Sequence, residues 1–277
     1  MGFRINTNVA SLQAQTSLNK VNKESQDSLS KLSSGSRITK AADDAAGLGI
    51  SEKLKAEIRS SQQATRNAND GISMVQVAEG GLNESSNILV RMRELGVQSA
   101  SDTVGDSERG MANLEYQQLK SEMERISQVT EFNGKKLLNG DSEKYEFQVG
   151  TGGNEFEDRI AFQAGQINSG NESLGVGSLD IGSKDGAQES LTSVDAAIEK
   201  ISSQRAVLGS LQNRLVSTTN NLQTSTENMS AANSRIRDTD YAEETAKSAR
   251  NQIIQSAGTS VLAQANMSSQ GALKLIG

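Results

Sequence analysis

The stretch Val194–Ile236, VDAAIEKISSQRAVLGSLQNRLVSTTNNLQTSTENMSAANSRI, decides the fold. Every seventh position in it is apolar: Val194, Ile201, Leu208, Leu215, Leu222, Met229 and Ile236. At a one-third apolar frequency such an unbroken run arises by chance about once in two thousand trials. A seven-residue apolar repeat marks a helix that buries one seam against partner helices. The companion row, Leu191, Ile198, Arg205, Gln212, Thr219, Thr226 and Asn233, starts apolar and turns polar. Just upstream, Asp185 followed by Gln188 has the spacing of a capping box. The pattern predicts one helix over residues 186–236, roughly 75 Å long at 1.5 Å per residue.

A seam of that length needs a partner, and the sequence supplies one on the other side of the chain's middle. From Ser51, steps of seven give Leu54, Ser61, Ala68, Val75, Leu82 and Leu89. Four residues after each lie Ile58, Thr65, Ile72, Glu79, Ser86 and Arg93, a row only half apolar. The pattern fades in VQSASDTVGDSE, where Gly105 and small residues signal a turn. A third helix is expected over Ser107–Val129, with Leu119, Met123 and Ile126 towards the core.

Between the long helices the character changes. FNGKKLLNGDS reads as consecutive turns, since each Asn-Gly invites positive φ. Tyr145, Phe147 and Val149 alternate with polar residues, and Ile160 and Phe162 return, which predicts a β-hairpin near 145–162. At the two ends the apolar stripes are thin. Ile5, Val9 and Leu12 fall at helical spacing, and Leu18, Val21, Leu29 and Leu32 continue loosely. Asp240 with Glu243 suggests another N-cap, followed by Ala246, Ala249, Ile253, Ala257 and Val261. Two such helices bury little, so an isolated pair should be marginal and should need neighbours from other subunits.

The reading is therefore a mainly α protein: a long antiparallel helical rod or coiled-coil bundle with a small β-hairpin insertion and paired terminal helices. Its expected divisions are an N-terminal core helix (1–34), a linker (35–50), the N-terminal part of the rod (51–185), the C-terminal long helix (186–236) and a C-terminal core helix (237–277).

Composition agrees with thin helical packing. Of 277 residues, 34% are hydrophobic and 3% aromatic, less than a spherical globule of this size would want. The net charge of −6, with no basic patch interleaved with aromatics, argues against nucleic acid as a partner. No apolar run approaches the roughly 20 residues needed to span a bilayer, so no membrane insertion is expected. The start, MGFRINTNVASLQAQ, lacks the apolar core of a secretory signal. His, Cys, Pro and Trp are all absent. Loss of the commonest general base, the thiolate nucleophile and the commonest zinc ligand discourages an enzyme, and no cofactor is expected. Without proline, long helices meet no break.

The joint LSSGSRITKAADDAAGLGI, Leu32–Ile50, raises one chemical alternative. Gly47 and Gly49 are two apart, but position 52 is Glu and no buried strand precedes them, so the dinucleotide fingerprint fails. The adjacent Asp43 and Asp44 supply too few oxygens for a hard cation and read as helix caps or solvated charge.

Longer motifs carry a resemblance. LSSGSRITKAADDAAGLGISEKL, RNANDGISMVQVAEGGLNE, RMRELGVQSAS and EFNGKKLLNG in the first half, with LGSLQNRL, ENMSAANSRIRDTDYAEETA and VLAQAN in the second, are similar to bacterial flagellin. They span roughly two thirds of the chain. The resemblance implies a paired-helix core domain, a helical rod domain, and a minimal form, because the middle (Asp141–Asp185) is too short for large outer domains. It implies a structural subunit polymerising into the flagellar filament for motility. It implies export, unfolded, through the flagellar type III apparatus to the extracellular flagellum. The implied partners are further copies of the chain, an export chaperone on the C-terminal helix, a filament cap protein and hook–filament junction proteins. A hook–filament junction protein, which shares the terminal motifs, is the alternative identity. In flagellins seen by Toll-like receptor 5, contact centres on a Q-R-x-R-E-L pattern. Here VRMRELGV matches at Arg91, Arg93, Glu94 and Leu95, departs at Val90, and Glu115 matches the acidic position on the next helix. Arg91, Leu95 and Glu115 are thus the receptor-contact candidates. Ser169, Ser173 and Ser178 in the middle loop are candidates for the O-linked sugars that some flagellins carry.

Overall fold

The computed structural model describes residues 7–141 and 144–274, with side chains as far as Met267. The expected core residue Ile5 lies outside the described residues. The chain forms two compact units, Met1–Ala56 with Asn228–Gly277, and Glu57–Glu227.

The helices are α1 (Val9–Ser34), α2 (Ala45–Ser99), α3 (Asp106–Val129), the short α4 (Glu155–Asp158) and α5 (Asn171–Leu174), α6 (Lys184–Arg237) and α7 (Tyr241–Lys274). The strands are β1 (Glu131–Phe132), β2 (Lys135–Lys136), β3 (Lys144–Gln148) and β4 (Arg159–Gln163). They form two separate antiparallel hairpins, β1 with β2 and β3 with β4. The mainly α reading with a small β insertion therefore holds, and a second hairpin joins the one expected.

In the larger unit the two long helices run antiparallel. Glu79 of α2 faces Arg205 of α6, and further along α2 Arg93 faces the earlier Asp195. On α6 the first four seam residues, Val194, Ile201, Leu208 and Leu215, are buried. The companion row is not the one expected. Of that row Thr219 is buried, but Leu191, Ile198, Arg205 and Gln212 are only half-buried, while Ser190, Ala197, Gln204 and Leu211, three residues after the seam rather than four, are buried. α2 repeats the correction. Beside Ser61, Ala68, Val75, Leu82 and Leu89, the second buried row is Ala64, Gly71, Ala78, Ser85 and Met92. The physical reason is close approach. Small residues let facing backbones and rings come near, and they carry almost no hydropathy signal of their own. A Cβ added at Gly71 would sit 3.1 Å from the Phe147 ring, which fills that notch.

The third helix packs a polar-looking face. Arg109, Tyr116, Lys120, Met123 and Ser127 are buried, whereas Leu119 and Ile126 are half-buried. The two cations are buried because each ties a loop. Arg109 donates to the Ser99 and Ser101 carbonyls at 2.8 and 2.9 Å, clamping the turn between α2 and α3. The Lys120 ammonium donates to the Gly177 and Leu179 carbonyls at 2.6 and 3.0 Å, holding the segment that leads into α6. Burial lowers the Lys120 pKa, offset by nearby Asp180. Ser183, rather than Asp185, holds the start of α6, its hydroxyl accepting from the Gly186 amide at 3.2 Å.

The β3–β4 hairpin pairs Tyr145 with Phe162 and Phe147 with Ile160. The Tyr145 and Phe162 rings stack with centroids 6.0 Å apart. The connection between the strands runs through the glycines Gly150, Gly152 and Gly153 and the short α4. It closes on the Asp158 carboxylate, which accepts from the Gly152 and Asn154 amides at 3.1 and 2.9 Å.

In the smaller unit α1 pairs with α7, and polar contacts set their register. Ser28 donates to Glu244 at 2.6 Å, Gln255 to Asn22 at 2.8 Å, and Asn8 to the Ala265 carbonyl at 2.9 Å. Leu18 is the one large apolar side chain buried on α1 among the described residues, and it fills the space beside Gly258. The two joints run side by side. Gly35 ends α1 in the left-handed region (φ 67°), Ser36 bridges Asp238, and the Arg37 amide donates to the Arg237 carbonyl at 2.6 Å. Asp240 caps α7 through the Ala242 and Glu243 amides, as its spacing with Glu243 suggests.

Candidate assembly and recognition surfaces

The Leu32–Ile50 joint is tied by capping hydrogen bonds. Asp43 accepts from the Thr39 and Lys40 amides and the Thr39 hydroxyl, all near 3.0 Å, and these bonds, led by the one from Lys40, lower its pKa. Asp44 accepts from the Gly47 amide at 2.8 Å, as a cap on α2. A side chain at Gly47 would collide with Asp44 and Ile38, so this glycine serves close packing rather than a phosphate. Among the described residues no cluster of acidic side chains could hold a metal ion.

The terminal helices present their apolar stripes outward. On α1, Val9 is 57% and Leu12 56% exposed; on α7, Ile253 is 70% and Val261 58% exposed. Ala257 is exposed and lines the α1–α7 groove with Ala14, Leu18, Val21, Ile254 and Val261. Among the described residues the buried positions on these helices are Leu18 and the polar Ser28, Glu244 and Asn251. Reading the stripe alone missed the polar three. The missed signal was Ser28, Asn22, Glu244 and Gln255, polar side chains at spacings that can meet across two antiparallel helices. Leu222, Met229 and Ile236, the later part of the α6 seam, are only half-buried.

On the larger unit the structure separates the receptor-contact candidates. Arg91 bonds Glu115 on α3 at 2.9 Å and Glu94 one turn on at 2.9 Å, and all three are about half exposed. The bonds from Glu115 and then Glu94 hold the Arg91 pKa above its ordinary value. Leu95 is a correction. It is 2% exposed and belongs to the core, because the i+4 side chain turns inward towards Met92 and its neighbours while Arg91 turns out. Exposed apolar side chains stand next to the pair in sequence, Val90 before Arg91 and Leu114 before Glu115, and Val97 and Met111 are exposed on the same two helices. Arg93 lies on the α6 side, bonded to Asp195 at 2.6 Å. Ser169, a candidate sugar site, is fully buried; Ser173 is half-buried and Ser178 exposed.

Comparison with known proteins places these surfaces in one family. Residues 5–143 match the model of the bacterial flagellin N-terminal helical region, and residues 191–276 match that of the C-terminal helical region. The chain is 40% identical to a flagellin of Halalkalibacterium halodurans over 272 residues, covering 98% of this chain and 99% of that one. It is 41% identical to a flagellin of Bacillus subtilis over 308 residues, covering 99% of this chain and all of that one. Among solved structures, a Bacillus cereus flagellin superposes with a TM-score of 0.51 at 33% identity, covering 61% of this chain and 94% of that one. A flagellar hook-associated protein of Vibrio parahaemolyticus gives a TM-score of 0.59, covering 71% of this chain and 100% of that one, but at 14% identity it speaks for the fold alone. The hook–filament junction alternative is thereby not favoured. With both end regions matched and curated relatives aligned end to end, the chain belongs to the bacterial flagellin family.

Proposed function

We propose that this flagellin is a structural subunit of the extracellular flagellar filament, and that its terminal helices form the contacts between subunits. The observation that carries the reading is the outward apolar stripe on both, Val9 and Leu12 on α1, Ile253 and Val261 on α7. Apolar side chains so placed gain about 25 cal/mol per Å² when a neighbour covers them. A chain that offers one face to a different face of its neighbour makes a contact that does not close, and repetition yields an open helical polymer. Salt-induced assembly of the purified chain, followed by negative-stain imaging, tests this. Long filaments are expected; small closed oligomers under all salt conditions would overturn it.

The finer reading rests on family membership. The subunit is non-catalytic and leaves the cell by the flagellar type III route. An export chaperone covers α7 beforehand, junction proteins meet the filament at its base, and a cap protein meets it at its tip. Among the described residues no helix is long and apolar enough to cross a membrane, which is compatible with that route. Recognition by Toll-like receptor 5 is supported by the exposed Arg91–Glu115 pair and the exposed apolar residues next to it in sequence. An Arg beside apolar anchors has the composition of a binding hot spot.

A further inference from the structure

The chain contains two Asn-Gly pairs, Asn133-Gly134 and Asn139-Gly140, six residues apart in one loop system. Their local sequences promise the same intrinsic chemistry, but their surroundings differ. Asn133 (φ 52°) and Gly134 (φ 76°) are the two central residues of the β1–β2 turn, both with positive φ. Both are exposed, no hydrogen bond from the described residues holds the Asn133 side chain, and the space around Gly134 is open. The strands that hold this turn are two residues each, so the hairpin opens at little cost. Asn139 is held. Its side-chain amide donates to the Asp141 carboxylate at 2.6 Å, its carbonyl accepts from the Asp141 amide at 3.1 Å, and it bridges Asn168. The Asn168 side chain packs directly over Gly140.

We propose that Asn133 is a site of spontaneous, non-enzymatic deamidation in the folded protein, and that the fold protects Asn139 from the same reaction. The Gly134 backbone nitrogen, its proton passing to solvent base, attacks the Asn133 side-chain carbonyl carbon. A C–N bond forms, the carbon–amide bond breaks, and ammonia leaves with a proton from water. Water then opens the five-membered imide at either carbonyl, leaving aspartate or isoaspartate. The sum is one amide plus water giving one carboxylic acid plus ammonia, with no redox change. An open Gly134 permits the backbone rotation that attack requires, whereas at Asn139 the side chain must first break its bonds to Asp141.

The product adds a negative charge beside Lys135 and Lys136. As isoaspartate it also adds a methylene to the backbone of a two-residue turn that leads straight into the fully buried Leu137 and Leu138. The reaction needs only water and time, so its extent in a subunit records age since synthesis.

The test is incubation of the purified full-length chain at mildly alkaline pH, with peptide mapping by mass spectrometry over several days and isoaspartate detected by enzymatic methylation. A parallel sample in urea removes the fold. In the folded chain Asn133 should convert while Asn139 lags roughly tenfold, the factor that one retained hydrogen bond supplies. In urea the two should convert at similar rates. Asp141→Ala should speed Asn139 several-fold in the folded chain and leave Asn133 unchanged. Equal rates at the two sites in the folded chain would overturn the proposal. So would an Asn133 that keeps its amide when folded but loses it in urea.

Discussion

Arg91 and Leu95 lie one helical turn apart on α2 and serve different ends. Leu95 is packed in the core, so Leu95→Ala should cost about 2–5 kcal/mol of stability, read as a lowered denaturation midpoint. Arg91 makes two half-exposed ion pairs, so Arg91→Ala should change stability by less than about 1 kcal/mol. If the proposed receptor contact is right, Arg91→Ala should nonetheless weaken binding of Toll-like receptor 5 by about 1–2 kcal/mol, measured with the purified monomer. Unchanged binding would remove Arg91 from that surface. Tyr116 gives a residue-scale pH prediction. Burial pushes its phenol up to about 12, from an ordinary value near 10. The folded state therefore favours the neutral phenol. Its contribution is complete below pH 10 and is lost as pH rises through 12. Tyr116→Phe should flatten the alkaline loss of stability relative to the parent, checked by unfolding midpoints measured across that window.

At the scale of one helix, neighbouring positions of identical type diverge. Gly80 and Gly81 are consecutive on α2. Gly80 is exposed with open space around it, so Gly80→Ala should stabilise by up to about 1 kcal/mol through helix propensity. A Cβ at Gly81 would meet Leu138 at 2.6 Å and Thr130 at 2.8 Å, so Gly81→Ala should destabilise by about 1–3 kcal/mol. Thermal unfolding of both variants decides the matter; the same sign for both would show that the packing of Leu138 against α2 is misassigned. The α6 seam is graded in the same way. Leu215 is fully buried, so Leu215→Ala should cost about 2–5 kcal/mol. Half-buried Leu222→Ala should cost visibly less, and exposed Glu199→Ala under about 0.5 kcal/mol.

For the whole molecule, the two units make a separable prediction. The larger, Glu57–Glu227, holds the extended apolar core, while on α1 of the smaller unit only Leu18 and Ser28 are buried among the described residues. A chain cut to residues 57–227 should keep its helical circular dichroism and a cooperative melt, yet stay monomeric under conditions in which the full chain assembles. Sedimentation and imaging check this. Filaments grown from the fragment alone would mean that assembly does not depend on the terminal helices.

The existence, type and order of the long helices were legible in the sequence, because a seven-residue apolar repeat can be satisfied only by a helix with a buried seam. Val194, Ile201, Leu208 and Leu215 announced themselves by hydropathy. The β3–β4 pairing was legible for a related reason, since Tyr145 and Phe147 alternate with polar residues as a half-buried strand must. Three things were decided only by the tertiary structure. The partner rows on α2 and α6 include Ala64, Gly71, Ala78, Ser85, Ser190 and Ala197, small residues whose burial reflects the nearness of another backbone rather than their own transfer free energy. The inward turn of Leu95 depends on where the core lies around α2, which helical spacing relative to Arg91 does not specify. The outward turn of Ile253 follows because Ser28, Asn22 and Glu244 take part of the inner face of the terminal pair, and hydrogen bonds between two particular helices have no periodicity to read.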